Sequence, residues 1–419
     1  MKVLGIIAEY NPFHNGHLYH LQESKKAVSP DYTVCVMSGN FTQRGEPAMA
    51  DKWIRAAMAV RNGIDLVIEL PFVFACNNAE YFAKGSIDIL NRLGCVTHLS
   101  FGSETGELST LKFVSDFLSL ENDQLKASIK DFANQGFSFP RARYEAVKQC
   151  MGEECAALLK GSNNILAVEY MKQLNLTNSR IKPFAVKRYG TSYLDENWSG
   201  NIASALAIRQ FLGNHNNLNE VSDFIPASTF EVLKDLDKGF NLTLNDFYPL
   251  LMYRILTSDL DELGKTFSAT EGLEYKVKKA ASSSADIDSL LHAILSKRYT
   301  KTRIQRLLTH ILVKLDKDSF HEILEKGINY SRILAINNNG TTLIKHIKKE
   351  ALNSIPILTN INREVSNDAE EWKLLKYDIM ASDIYNLIAY KDIYINSDYV
   401  KKPFLDFANS KINKSLEKI

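Results

Sequence analysis

Hydrophobic and polar positions divide the 419-residue chain into two regimes. Up to about residue 213, short β-rich apolar runs alternate with amphipathic stretches, the pattern of a parallel sheet covered by helices. The runs are Val3 to Glu9, Tyr32 to Met37, Leu66 to Leu70, Thr97 to Phe101 and Ile181 to Val186. Helical periodicity covers His17 to Ala27, Lys52 to Asn62, Ala79 to Leu93, Leu108 to Leu118, Gln124 to Asn134 and Asn163 to Leu174. Each strand runs into a loop rich in Gly, Asn, Ser or Pro, and that edge of an open α/β sheet is where ligands bind. Beyond residue 213 the alternation stops. Apolar side chains then recur at helical spacing, as in Ile304, Leu307, Leu308, Ile311, Leu312 and Leu315. The pattern predicts an α/β domain over residues 1–213 and a mainly helical domain over 214–419, with the boundary near Gly213 to Asn219 and a loop at Ser282 to Ser284.

Composition narrows the classes. Hydrophobic residues make up 45% of the chain, enough for real cores and against a disordered chain. A formal net charge of +1 supplies no long-range attraction, so an RNA partner has to bind a local basic patch. The cysteines, Cys35, Cys76, Cys95, Cys150 and Cys155, show no zinc-type spacing. Cys35 and Cys95 lie in apolar runs, as small buried side chains do. That usage predicts a reduced, cytoplasmic setting. No charged-then-apolar leader opens the chain and no apolar run is long enough to span a bilayer, so neither secretion nor a membrane partner is expected.

The chemistry begins at residues 3–20, VLGIIAEYNPFHNGHLYH. A strand runs into Asn11-Pro12, then His14-Asn15-Gly16-His17, then a helix. Two histidines three apart at a helix start place both imidazoles over the strand end. Gly16 lets a planar base or a phosphate come close to the backbone. The helix N-terminus adds free N–H groups and a positive dipole end. Together these suit the triphosphate of ATP, whereas histidines that merely cap a helix are the plainer alternative.

This strand-HxGH-helix unit resembles the nucleotidyltransferase superfamily, whose members join an acceptor to the α-phosphate of a nucleotide and release pyrophosphate. The superfamily's second motif, SxTxxR, is matched by Ser204 and Arg209 in IASALAIRQFL, with Leu206 in place of Thr. A closer resemblance covers most of the chain. The blocks MSGNFTQRGEPA (37–48), DKWIRAAMAVRNGIDLVIELP (51–71), NNAEYFAKGSIDILNRLG (77–94), LSFGSETG (99–106), GSNNILAVEY (161–170) and SKRYTKTRIQRLL (296–308) are similar to the bacterial tRNA(Met) cytidine acetate ligase family. The resemblance implies a Rossmann-like parallel-sheet nucleotidyltransferase domain followed by a mainly α-helical one. It also implies a ligase that makes acetyl-adenylate from acetate and ATP, with Mg2+ accompanying the triphosphate. The acetyl group then goes to N4 of the wobble cytidine of elongator tRNA(Met).

His14 and His17 are the catalytic candidates on this reading. Nucleotide contacts implied by the resemblance are Ile7, Ala8, Glu9, Tyr10, Asn11, Pro12, Phe13, His14, Asn15, Gly16, His17, Leu18, Tyr19 and His20, then Gly102, Asn163, Arg188 and Tyr189. The loop Ser38 to Glu46 either closes over the substrate or is an ordinary surface turn, and Lys52 and Arg55 are either substrate contacts or exposed charges. Between residues 289 and 315 six basic side chains occur with no acidic one. Lys297, Arg298, Arg303 and Arg306 are the RNA-binding candidates there. At about 100° per residue, Arg303, Arg306, His310 and Lys314 share a stripe, and Tyr299 offers a stacking surface. A solvated helix face is the alternative, as it is for the lysine-rich end from Lys401 to Lys418. Two other functions stay open: a small-molecule adenylyltransferase, and a nucleotide-sensing protein without turnover.

Overall fold

Five strands begin where the apolar runs predict them. They are β1 (Val3–Ala8), β2 (Tyr32–Ser38), β3 (Leu66–Leu70), β4 (His98–Ser103) and β5 (Lys182–Lys187). The computed structural model describes residues 1–120, 122–188, 202–215, 217–236, 241–350, 352, 354–365, 372–390 and 396–407. The strands lie in the order β5-β4-β1-β2-β3 and all pair in parallel.

The second half contributes more than helices. A strand at Ser331–Asn337 (β6) pairs antiparallel with β3, Ile336 facing Leu66, and carries β7 (Ile357–Leu358) and β8 (Phe404–Asp406) on its other edge. Among the described residues, one sheet of eight strands therefore draws on both halves of the chain. The strand pattern read from the sequence ends before residue 213. SRILAIN escaped it because a short apolar run carries no periodicity that separates a buried strand from a helix segment.

Alternate residues of each strand point to opposite faces, and the burial follows that rule. Val34, Val36, Leu66 and Ile68 face one core, shared with helices Ala79–Arg92, Ser162–Leu176 and Lys301–Val313. Cys35, Met37 and Val67 face the other, built with helices Asn15–Val28, Lys52–Arg61 and Ala205–His215. Leu307, Leu308 and Ile311 belong to the same core cluster as the β2 and β3 residues, so the helical half shares its interior with the sheet.

Lys52 and Arg55 are neither exposed nor on a substrate cavity; both are fully buried. Lys52 Nζ lies 2.7 Å from Glu69 and 2.7 Å from Asp398, and Arg332 pairs with the same two carboxylates at 3.5 and 2.7 Å. Two cations and two anions thus balance inside the protein, which is what makes their burial tolerable. Arg55 donates to the carbonyls of Ala50, Ser38, Gly39 and Glu9, fixing the backbone just past β1 and β2. Asp51 caps the Lys52–Arg61 helix through Ile54 N–H and also accepts from Tyr390 Oη and Lys401 Nζ. Lys401 is therefore held in an ion pair, while Lys411, Lys414 and Lys418 lie outside the described residues.

Candidate active site

The HxGH segment leaves β1 and starts a helix at Asn15, with His14 as its N-cap. His14 Nδ1 accepts the Gly16 N–H at 3.0 Å, and His17 Nδ1 accepts the His14 N–H at 3.2 Å. Each imidazole thus satisfies an orphan donor of the helix start. With Nδ1 accepting, the proton of each neutral ring sits on Nε2. The two rings lie 3.7 Å apart, centroid to centroid, and His17 meets Tyr10 edge-on at 5.0 Å. A Cβ on Gly16 would sit 2.8 Å from His14 Cε1, so this glycine is needed for the His14 ring itself.

Burial pushes His14 down to about 3, assisted by Arg188 and Arg209. Burial likewise holds His17 well below the ordinary histidine range, helped by His14, Arg188 and His20 and opposed by the Pro12 carbonyl. His20, hydrogen-bonded to Ser100 Oγ at 3.0 Å, is lowered to about 4 by burial and Arg188. With all three held uncharged at neutral pH, positive charge on the wall comes from arginines such as Arg188, Arg209 and Arg306 and from Lys172 and Lys187.

A cavity of about 680 Å³ opens above the strand ends. Its wall includes Ile7, Ala8, Glu9, Tyr10, Asn11, His14, Gly16, His17, Tyr19 and His20 from the first segment, with Gly102, Asn163 and Arg188. Pro12, Phe13, Asn15 and Leu18 lie off that wall: Phe13 is fully buried and Asn15 Nδ2 donates to the Asp223 carbonyl. Tyr189 lies outside the described residues. Arg188 donates to Asn163 Oδ1 at 2.9 Å, and Glu104 accepts from the Asn163 and Asn164 amides at the start of the Ser162–Leu176 helix. Ser204 and Arg209 also reach the wall. Ser204 Oγ accepts the Ala207 N–H, and Arg209 donates to the Asn11 carbonyl at 2.8 Å. Leu206 is not on the wall.

The Ser38–Glu46 loop is a docked element. Gln43 donates its N–H to Glu9 Oε1 at 2.7 Å and its Nε2 to the Asn77 carbonyl at 2.9 Å. Thr309 Oγ1 donates to the Gly45 carbonyl at 2.7 Å, and Gln305 Nε2 to Glu46 at 2.9 Å. Gly45 has φ +79°, and a Cβ there would lie 2.4 Å from Arg306 N, so the loop rests directly on helix backbone.

That contact changes the reading of the basic stripe. Arg306 lines the cavity and donates to the Gln43 carbonyl at 3.3 Å; burial lowers its guanidinium to about 10. His310 is completely buried against the Cys76 carbonyl and Ser268 Oγ. Tyr299 is buried too, its ring covered by Arg303 and Lys276 and its hydroxyl given to Glu271. No outward stripe through His310 exists, because almost every face of the Lys301–Val313 helix packs on protein. Lys297 and Arg298 are exposed, Arg298 paired with Glu271, and Arg303 donates to Thr270 Oγ1. The sequence alone does not point to Arg143, on the Phe139–Met151 helix, or to Glu169 and Lys172, on the Ser162–Leu176 helix, yet all three line the wall.

A mostly parallel sheet with an HxGH helix start at its ligand-binding edge, facing a cavity ringed by arginines, defines a nucleotidyltransferase of the HIGH type. The HIGH Nucleotidyl Transferase family matches residues 1–398. The chain is 42% identical over 408 residues to the tRNA(Met) cytidine acetate ligase of Caldicellulosiruptor saccharolyticus, covering 96% of this chain and 98% of the relative. It is 39% identical over 420 residues to the enzyme of that name from Alkaliphilus metalliredigens, covering 96% and 99%. The crystal structure of apo Thermotoga maritima TmcAL superposes with a TM-score of 0.91 at 32% identity, covering 97% of this chain and all of the other. A second form, bound with alpha-thio ATP, gives 0.89. The chain belongs to the tRNA(Met) cytidine acetate ligase family.

Proposed function

We propose that this protein activates acetate with ATP and transfers the acetyl group to N4 of the wobble cytidine of elongator tRNA(Met). The observation that carries this reading is one cavity gathering the HxGH imidazoles, Ser204, Arg209 and, from nearly 300 residues away, Arg306. Acetate is a poor acyl donor until its oxygen becomes part of a leaving group. Attack of the carboxylate on the α-phosphorus forms acetyl-adenylate and expels pyrophosphate; the cytidine amine then attacks the acetyl carbon and AMP leaves.

The protein's part in the first step is positioning and electrostatics. His14 and His17, neutral and protonated on Nε2, donate hydrogen bonds to the α-phosphoryl oxygens from the positive end of a helix. Arg188 and Arg209 hold the departing phosphates. Ile7, Ala8, Tyr10, Asn11, Gly16, Tyr19 and His20, with Gly102 and Asn163, shape the nucleotide seat. Magnesium would accompany ATP as its chelate and neutralise part of the triphosphate charge. Among the described residues no group of three or more His, Cys, Asp or Glu side chains gathers to bind a metal on its own.

Residues 214–419 present the tRNA. Lys297 and Arg298 meet its phosphates at the surface, with Arg303 behind them, while Arg306 reaches the reacting end. No helix among the described residues is long and apolar enough to cross a membrane. A reduced, cytoplasmic setting accords with five free cysteines.

The test is incorporation of labelled acetate into bacterial tRNA with ATP, for wild type and His14→Ala. ATP-dependent label on the wobble cytidine of methionine tRNA, lost in the variant with the fold intact, is the expected result. ATP binding without acetate-dependent label would move the reading to a small-molecule adenylyltransferase or a sensor.

A further inference from the structure

N4 of cytidine loses a proton when it is acylated, and the histidines are poorly placed to receive it. Both Nδ1 atoms are engaged by backbone N–H groups, and burial opposes a charge on either ring. A carboxylate is the natural partner of this amine, since it accepts hydrogen bonds from N4 and tolerates its proton. Four glutamates stand on the cavity wall. Glu169 is held by Arg143 at 2.6 Å and is 2% exposed in its side chain. Glu80 pairs with Lys172 at 2.9 Å. Glu46 accepts from Gln305 Nε2 and lies 3.9 Å from Arg209.

Glu9 differs. Among the described residues it makes no ion pair; Oε1 accepts the Gln43 N–H at 2.7 Å, and Oε2 has no protein hydrogen bond. The side chain is half-buried and fixed from both ends. Its own carbonyl accepts from the buried Arg55, and Gln43, which orients the carboxylate, is held by Asn77 and Arg306. It also sits at the end of β1, five residues before His14, on the same wall as the imidazoles.

Resting on the acetyl-transfer reading above, we propose that Glu9 recognises the cytidine N4 amine and accepts its proton during transfer. The N4 lone pair forms the new C–N bond to the acetyl carbon of acetyl-adenylate. The acyl C–O bond breaks, its electron pair leaving with AMP, and one N4 proton passes to Glu9 Oε2 and on to solvent. No oxidant or further reactant is needed. Gln43 and Arg306 hold the acceptor in place from the far side of the cavity, so an element of the C-terminal half aims a side chain of the first strand.

Glu9→Gln is the decisive variant, because its amide oxygen still accepts the Gln43 N–H and only the proton-accepting capacity is lost. Two half-reactions are read on the full-length protein: acetate-dependent exchange of labelled pyrophosphate into ATP, and single-turnover acetyl transfer to elongator tRNA(Met). Transfer is expected to fall by about 10²–10⁴-fold, exchange by far less, with Glu9→Asp between Gln and wild type in transfer. Hydroxylamine, which needs no base, traps the adenylate of the Gln variant as acetohydroxamate. Transfer within about threefold of wild type, or equal losses in both half-reactions, overturns the proposal. A Gln variant too unstable to assay leaves the decision to Glu9→Asp, where wild-type transfer also overturns it. Wild type that shows neither acetate-dependent exchange nor labelled tRNA would instead sink the acetate-ligase reading itself.

Discussion

Gly45 is the point where the loop above the cavity bears on the Lys301–Val313 helix, and Gly45→Ala tests that seam. Its φ of +79° alone makes a side chain unfavourable by about 1–2 kcal/mol. The added Cβ would lie 2.4 Å from Arg306 N and 2.6 Å from the Gln305 carbonyl carbon, both helix backbone that cannot step aside. Restoring ordinary contact needs a shift of about 1 Å. That shift weakens the hydrogen bonds from Thr309, Gln305 and Arg306 to the loop, each worth about 1 kcal/mol net. Gly45→Ala should therefore cost about 3–5 kcal/mol. Gly136→Ala is the control: φ there is +88°, but nothing lies within 4 Å of the new Cβ, so it should cost only the conformational 1–2 kcal/mol, roughly. Urea unfolding of both variants supplies the comparison, and amide exchange at residues 42–46 shows whether the loop has lifted. Equal destabilisation with unchanged exchange would refute the docking argument.

Two other outcomes follow from buried charge. The folded chain keeps His14, His17, His20 and His310 below the ordinary 6.5. Above that value neither state binds protons there and these groups leave stability unchanged. Below it the unfolded chain takes up protons that the folded one refuses. Stability should fall between pH 6.5 and about 4, by up to about 1.4 kcal/mol per pH unit per histidine. His310→Gln should make urea midpoints less pH-dependent; an unaltered slope would mean that this histidine is not buried neutral. Lys52→Met leaves two carboxylates facing Arg332 alone and should cost about 3–5 kcal/mol. A loss below about 1 kcal/mol would show the cluster to be solvated.

The first half of the fold was legible because its central strands, β1 to β3, are mostly apolar and buried on both faces and end in loops with strong turn chemistry, as Leu66–Leu70 does before Pro71. The helix at Phe139–Met151 escaped because its apolar positions are interrupted by Arg141, Arg143 and Lys148. The HxGH signal placed the cavity, since a strand end and a helix start are local features. What a sequence hides is which side chains meet across hundreds of residues. A lysine at a helix start reads as surface until Asp398 turns out to be its partner, and a basic helix reads as an outer stripe until the Gln43 loop is laid against it.

The antiparallel strand inside an otherwise parallel sheet bears on how the protein is made. Residues 66–70 emerge from the ribosome long before Ile336, the partner of Leu66. At about 5–20 residues per second the gap lasts roughly 15–50 s. Throughout that interval the nascent chain carries an unpaired edge strand, apolar but for Glu69, of the kind that recruits other chains. A gene fragment encoding only the nucleotide-binding half should thus yield aggregate rather than a minimal enzyme. Synthesis in the cell has to shelter that edge until the last third of the polypeptide comes back to close it.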